Sequence, residues 1–221
     1  MPILEVIACS VEDAVEAERG GAGRLEIVRA LDAGGLTPPV SLIREIAVSV
    51  SIPIRVMLRE NAGFEAGSAT EIEKLCRAAR EFVTLGVDGL VIGFLRGGRL
   101  DLAAAQRILS NAPGLKATFH RAFEELDDAG AAVAALKTAP QFDRILVSPA
   151  RVRGLKQLVE SAAPELTILA GGGVDADAIR MWRKMTGIGE FHVGRAVRHG
   201  ADIRQPVDAG LVRNLAAVVA E

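Results

Sequence analysis

Residues 86–92 read Gly-Val-Asp-Gly-Leu-Val-Ile, a tight turn followed by a short apolar run, and similar units return along the chain. Short apolar runs bounded by Gly, Pro or another small residue are typical of buried β-strands. The pattern predicts eight strands, at residues 3–9, 23–28, 54–59, 86–92, 115–121, 141–147, 166–171 and 189–193.

Helical patterns separate these strands. In residues 68–85 the apolar side chains Ile72, Leu75, Ala79 and Val83 recur at the spacing of one helix face. Comparable patterns predict further helices at residues 11–19, 40–50, 102–111, 129–138, 152–161, 176–185 and 208–219. Alternating strands and helices of this length form parallel sheets.

Eight strand-helix units predict a closed (β/α)8 TIM barrel, built as a single domain over residues 1–221. An open, doubly wound sheet is the alternative. It is disfavoured because no Gly-x-Gly-x-x-Gly motif follows the first strand, where the chain reads Cys-Ser-Val-Glu-Asp at residues 9–13.

The composition excludes several classes of protein. The 26 basic and 28 acidic residues give a net charge of -2, and aromatic residues make up 4%, so we expect no nucleic-acid partner. Two cysteines cannot form a disulfide scaffold or a four-thiolate zinc site. The longest uncharged run, residues 33–43, is too short to cross a membrane, and no secretory signal is visible, so we expect a cytoplasmic protein.

Charged side chains occur where parallel strands are usually apolar. Because strand side chains alternate, the charged face must point into the barrel if the apolar face meets the helices. The inward set comprises Glu5, Arg24, Glu26, Arg55, Arg59, Lys116, His120, Arg144, Glu190 and His192. An ion-paired lattice is the expectation for the deep members Glu5, Arg24 and Arg144, and a polar ligand site for those at the strand ends.

The segment Thr-Phe-His-Arg-Ala-Phe-Glu at residues 118–124 places a proton carrier and a cation together at a strand end. As a general acid or base, His120 would need a carboxylate partner, and the inward glutamates are the candidates. A hydrogen-bonded structural histidine is the alternative. The candidate catalytic residues are Glu5, Glu26, His120, Glu190 and His192.

A glycine-rich turn, Gly171-Gly172-Gly173, ends the seventh strand, and Arg195 follows the eighth. Loops at these two places often bind phosphate in barrels, although three glycines can equally make a turn that binds nothing. We predict an anion site formed by Arg59, Arg121, Ser148, Gly171, Gly172, Gly173 and Arg195. After the second strand, Thr37 followed by Pro38 predicts a helix N-cap.

From residue 3 to about residue 198 the chain resembles the CutC family of copper homeostasis proteins. The resemblance is carried by Ala-Glu-Arg-Gly-Gly-Ala-Gly-Arg-Leu-Glu at 17–26, Gly-Gly-Leu-Thr-Pro at 34–38, Thr-Phe-His-Arg-Ala-Phe at 118–123, the three glycines at 171–173 and Glu-Phe-His at 190–192. It implies a cytoplasmic, often oligomeric barrel with a role in copper handling through cysteines on the first two strands. Those positions are Ile7 and Val28 here, which leaves Cys9 as the candidate metal ligand.

Three functions therefore stand open. The family implies copper homeostasis and copper binding, with copper as the one expected cofactor. The alternative is an enzyme that acts on a small phosphate or carboxylate metabolite through Arg, His and Glu at the barrel mouth, and its reaction class would be that of an isomerase, lyase or hydrolase. An interaction module with a purely structural interior is the third. We expect a small-molecule or metal ligand, a homo-oligomer, and no membrane partner.

Overall fold

The computed structural model describes residues 2–221 and confirms the closed barrel of eight parallel strands. Neighbouring strands pair in chain order, and the eighth pairs with the first through Glu5 and His192. The strands are β1 Ile3–Ala8, β2 Arg24–Ile27, β3 Ile54–Met57, β4 Gly89–Ile92, β5 Lys116–Phe119, β6 Phe142–Val147, β7 Thr167–Gly171 and β8 Glu190–Val193. Each lies within its predicted segment.

Eight helices surround the strands, as the periodicity predicts. They are α1 Val11–Gly20, α2 Val40–Ser49, α3 Ala69–Thr84, α4 Leu102–Leu109, α5 Ala129–Lys137, α6 Leu155–Ala162, α7 Ala176–Thr186 and α8 Ala209–Ala220. Side-chain N-caps begin six of them, and α3 has a full capping box in which Ser68 and Glu71 satisfy each other's backbone N–H. None of the helices in residues 2–221 has the length and apolar character of a membrane-crossing segment.

The main hydrophobic core lies between the strands and the helices. Val6, Val56 and Phe119 point outward from their strands and are fully buried against the helix layer. The charged faces of the same strands therefore point into the barrel, as the alternation predicts. The outer face of the sheet thus packs against the helices, and the inner face makes polar contacts.

The floor of the barrel is a network of buried ion pairs. Arg24 contacts Glu5 and donates to Glu190 at 2.7 Å, and Arg144 donates to both oxygens of Glu190 at 2.7 and 2.9 Å. Burial of these charges is tolerated because each has at least one partner of opposite sign. The ion-paired lattice expected for the deep residues is present.

A second part of this floor is centred on Arg55. Its guanidinium donates to both oxygens of Asp143 at 2.7 Å, to Asp88 at 3.1 Å and to the Thr118 hydroxyl at 2.9 Å. Fork-shaped pairing of this kind holds both partners in one geometry. These contacts join β3, β5 and β6 across the inside of the barrel.

The segment before α2 differs from the prediction. Thr37 is not the N-cap: Pro39 occupies that position, without a side-chain cap. A residue followed by proline is disfavoured in helical conformation, so Pro38 cannot begin the helix. The Thr37 hydroxyl instead accepts from the Arg59 backbone N–H at 2.9 Å and donates to its carbonyl at 3.0 Å.

Several small elements were not predicted. A hairpin of Leu95–Arg96 and Arg99–Leu100 follows β4, and 3₁₀ turns cover Leu31–Ala33, Arg121–Glu125 and Arg195–Val197. They stand at the carboxyl ends of the strands. Single turns and two-residue strands carry too little periodicity to be read from a sequence.

Candidate functional site

A cavity of about 730 Å³ opens at the carboxyl ends of the strands. The candidate proton carriers Glu26, His120 and His192 line it. So do the candidate anion-binding residues Arg59, Arg121, Gly172, Gly173 and Arg195. The barrel thus brings most of the predicted site residues to one place, although they come from five different strands or their following loops.

Other predicted site residues lie beside or below this cavity. Glu190 begins β8 at the far end of the barrel, between Arg24 and Arg144, and Glu5 lies behind His192. Their contacts are with other charged side chains, which indicates that they hold residues of the barrel in place. Neither has a surface on the cavity.

Part of the cavity wall is apolar. Ile7, Val28, Leu31, Met57 and Leu146 line it, and Val28 and Met57 belong to a small apolar cluster inside the barrel. Apolar walls with a few polar groups are typical of pockets for small organic ligands. The wall includes the two positions that the family resemblance assigns to cysteine.

His192 is held between two carboxylates. Its Nδ1 lies 2.8 Å from Glu5 Oε1, and its Nε2 lies 3.5 Å from Glu26 Oε2. Burial alone would lower the pKa of His192, but Glu26, Glu5 and the hydrogen bond to Glu5 outweigh it and raise that pKa. Gly171 leaves room for the ring, since a Cβ there would lie 3.2 Å from His192 Cδ2.

The pKa values of Glu5 and Glu26 shift in opposite directions, although both carboxylates contact His192. Burial opposes the charge on Glu5, but Arg24 and His192 outweigh it and hold its pKa well below its usual range. Burial raises the pKa of Glu26 to about 7, with Glu5 reinforcing the shift and His192 opposing it. Glu26 therefore exchanges a proton near neutral pH, as a general acid or base must.

In the part of the chain that the structure describes, His120 has no carboxylate partner, in contrast to the expectation for a His-Glu pair. Its Nδ1 accepts a hydrogen bond from the Ala122 backbone N–H at 3.2 Å. Its ring lies 5.4 Å from that of Phe64. Burial, together with the charge of Arg59, lowers the pKa of His120 to about 3, so the ring is neutral at physiological pH.

Among residues 2–221, Arg59 is a buried cation without a carboxylate partner. Its side chain donates to backbone carbonyls of Asn61 and Ala33, each at 2.9 Å, and its guanidinium lies 5.2 Å from the Phe64 ring. Burial lowers the pKa of Arg59, and Glu26 partly offsets this. The other three buried arginines within residues 2–221, Arg24, Arg55 and Arg198, each pair with a carboxylate.

Two further anion-binding candidates, Arg121 and Ser148, both contact Glu124. Arg121 is bound by Glu124 through two hydrogen bonds of 2.9 and 3.1 Å, and the Ser148 backbone N–H also donates to Glu124. These contacts hold the loops after β5 and β6 together. Ser148 itself lies behind the glycine turn, because a Cβ at Gly172 would approach its Oγ to 2.9 Å.

The donor set does not fit a thiolate copper centre. Cys9 packs against the apolar cluster of Val28 and Met57, while Cys76 lies on α3 outside the barrel. Burial raises the pKa of the Cys9 thiol to about 11, and Cu(I) binds thiolates. Within residues 2–221 there is no group of three or more His, Cys, Asp or Glu side chains placed to hold a metal ion.

Two contributors to the site were missed from the sequence. Gly93 directly follows β4, and a Cβ there would lie 2.7 Å from His120 Nδ1, so this glycine makes room for the ring. Thr37 positions the Arg59 backbone instead of capping a helix. A single glycine after an apolar strand was the one visible signal for Gly93.

Comparison with known proteins agrees with this architecture. The CutC protein of Streptococcus agalactiae has a crystal structure that matches with a TM-score of 0.81 at 26% identity, covering 87% of this chain and 98% of that one. A CutC family protein of Xanthomonas axonopodis pv. citri (strain 306) is 36% identical over 210 residues, which are 92% of this chain and 87% of the relative.

A mouse relative, named copper homeostasis protein cutC homolog, is 36% identical over 197 residues, covering 86% of this chain and 72% of the relative. The family model for CutC matches residues 2–197, which include all eight strands and every residue of the site described above. With the match extending over nearly the whole barrel, this chain is a member of the CutC family.

Proposed function

We propose that this protein is an enzyme that binds a small anionic metabolite in the cavity at the barrel mouth. The observation that carries the proposal is the buried guanidinium of Arg59, which donates to backbone carbonyls but has no carboxylate partner within residues 2–221. A buried charge without a counter-ion is costly, and an anionic ligand in the cavity would supply one. Exposed Arg195 and the backbone of Gly172 and Gly173 line the opposite wall and would add to the attraction.

An Arg59→Met variant tests this proposal. We expect it to bind inorganic phosphate and 2-phosphoglycolate at least about tenfold more weakly than the parent, because a hydrogen bond to a charged group is worth about 1.5–3 kcal/mol. Arg59→Lys should retain part of the affinity, since it keeps the charge but loses the fork-shaped geometry. Isothermal titration calorimetry measures the affinities.

Arg19→Met is the matched control, because Arg19 is an exposed arginine on α1 far from the cavity. Equal affinity in the parent and in Arg59→Met would remove Arg59 from the binding site. The proposed function would be overturned if the parent bound neither of these anions, nor pyruvate or dihydroxyacetone phosphate, and none of the four changed its thermal unfolding.

Copper handling is the second candidate, favoured by the name of the mouse relative and by the presence of Cys9 beside the cavity. We expect a colorimetric chelator to retain Cu(I) in anaerobic competition against the parent, because a single protonated thiol is a weak site. Cys9→Ser should behave identically. Tight stoichiometric binding by the parent that is lost in Cys9→Ser would make copper handling the leading function.

A further inference from the structure

Two polar atoms of the barrel mouth are buried without a partner. Within residues 2–221, Glu26 Oε1 and His120 Nε2 are the buried side-chain oxygen and nitrogen atoms that make no hydrogen bond. Both residues line the same cavity. Buried polar groups are nearly always hydrogen-bonded, so two exceptions on residues that line one cavity point to a ligand that supplies both partners.

The contact at Nδ1 determines what His120 offers to that ligand. Since Nδ1 accepts from the Ala122 backbone N–H, it carries no proton, and the neutral ring must carry its proton on Nε2. His120 therefore has a hydrogen-bond donor at Nε2 that is not used within residues 2–221, on a side chain that lines the cavity. The neighbouring cation Arg59 helps to keep the ring neutral.

Glu26 offers the complementary group. Its Oε2 lies 3.5 Å from His192 Nε2, and its Oε1 makes no hydrogen bond within residues 2–221. His192 is itself fixed by Glu5, whose other oxygen contacts Arg24. His192 and Glu5 are positioning residues that hold the Glu26 carboxyl in place.

We infer that the enzyme enolises an anionic carbonyl compound, with Glu26 Oε1 as the base and His120 Nε2–H as the donor to the carbonyl oxygen. The inference rests on the proposed function, because Arg59 is needed to bind the anionic group. A neutral imidazole that donates to a developing oxyanion is well suited to this step, since it gains an interaction as charge appears.

The step balances without any other reactant. The Glu26 carboxylate removes a proton from the carbon next to the carbonyl, and the electron pair of that C–H bond forms a C=C bond. The carbonyl π pair moves to oxygen, which accepts a hydrogen bond from His120. Return of the proton to the same carbon restores the substrate. Where that carbon bears a hydroxyl, protonation of the former carbonyl carbon, together with transfer of the hydroxyl proton to the oxyanion, gives an isomer.

Exchange of carbon-bound hydrogen in D₂O tests the inference. The probes are pyruvate, a 2-oxo acid, and dihydroxyacetone phosphate, a phosphorylated ketone, followed by ¹H NMR as the hydrogen next to the carbonyl is replaced by deuterium. We expect the parent to accelerate exchange of at least one probe above the buffer rate. Glu26→Gln should lower the enzymatic rate by about 10²–10⁴-fold while keeping affinity for the probe within a few-fold.

His120 provides the second arm of the experiment. His120→Ala should lower the exchange rate by about 10²–10³-fold, and His120→Gln, which can still donate, should recover part of it. NMR of ¹⁵N-histidine-labelled parent should show His120 with its proton on Nε2 throughout pH 5–8. An imidazolium at pH 5, or a proton on Nδ1, would overturn the role assigned to His120.

The outcomes separate the inference from the proposed function. Arg59-dependent binding of the probes without exchange above the buffer rate would overturn enolisation and leave the anion site standing. Exchange that persists in Glu26→Gln would remove Glu26 as the base. Absence of binding by any of the four anions, inorganic phosphate, 2-phosphoglycolate, pyruvate and dihydroxyacetone phosphate, would overturn both.

Discussion

Replacing Arg24 by methionine should lower the free energy of unfolding by about 3–5 kcal/mol, the cost typical of removing one partner from a buried ion pair. The substitution keeps much of the side-chain volume but leaves Glu5 and Glu190 without their shared cation. Glu190 retains Arg144, whereas Glu5 retains only His192. Most of the lost stability therefore comes from the Glu5 carboxylate, which no longer has its arginine partner.

The pH dependence of this loss identifies its cause. Arg24 helps to hold the pKa of Glu5 low, so removing it lets Glu5 take up a proton in mildly acidic solution. The destabilisation should be smaller at pH 5 than at pH 8. Urea denaturation followed by the fluorescence of Trp182, the one tryptophan of the chain, measures it.

The exposed Arg19→Met variant is the control for the Arg24 experiment and should change the free energy of unfolding by no more than about 0.5 kcal/mol. An equal effect of Arg24→Met at pH 5 and pH 8 would contradict the electrostatic explanation. A loss below about 1 kcal/mol would mean that the floor of the barrel does not depend on this ion pair.

Glu26→Gln should stabilise the protein at pH 8 and leave its stability nearly unchanged at pH 4. Folding raises the pKa of Glu26 from 4.5 to about 7, so at pH 8 the folded state holds a buried carboxylate that the unfolded state keeps in water. At pH 4 both states are protonated. At ~1.4 kcal/mol per pH unit between the two pKa values, the gain is of the order of 3 kcal/mol.

The charges that face Glu26 are His192 from β8, Glu5 from β1, Arg24 from β2 and Arg59 from the end of β3. Denaturation curves at pH 4 and pH 8 for the parent and Glu26→Gln measure the effect. Glu5→Gln is the matched control and should destabilise the protein at pH 8, because Arg24 and His192 stabilise the ionised form of Glu5. Destabilisation by Glu26→Gln at pH 8 would contradict the raised pKa.

Most of the fold could be predicted from the sequence because the barrel is made of repeated strand-helix units. The unit at residues 86–92 and its counterparts each carry a turn signal and an apolar run, and local signals of this kind are readable without tertiary contacts. The inward direction of Glu5 and Arg24 also followed from alternation alone. The N-cap at Thr37 was wrong because the two prolines after it outweigh its capping preference.

The residues of the site could be predicted better than their roles. Glu26, His120 and His192 were identified from their places on strands, but a sequence does not say which histidine meets which carboxylate. That depends on strand register and on the space at Gly93 and Gly171, neither of which has a local signature. The neutral state of His120 and the unpaired state of Arg59 likewise arise only when the strands are assembled.

The charged floor also bears on how the barrel can be divided. Three of its contacts join early strands to late ones or late strands to each other: Arg24 with Glu190, Arg55 with Asp143, and Arg144 with Glu190. A fragment cut between β4 and β5 would leave Arg55 in one piece and Asp143 in the other. Isolated halves of this barrel should therefore be poor independent folding units. Complementation between co-expressed halves should depend on the two pairs that cross the cut, Arg24 with Glu190 and Arg55 with Asp143.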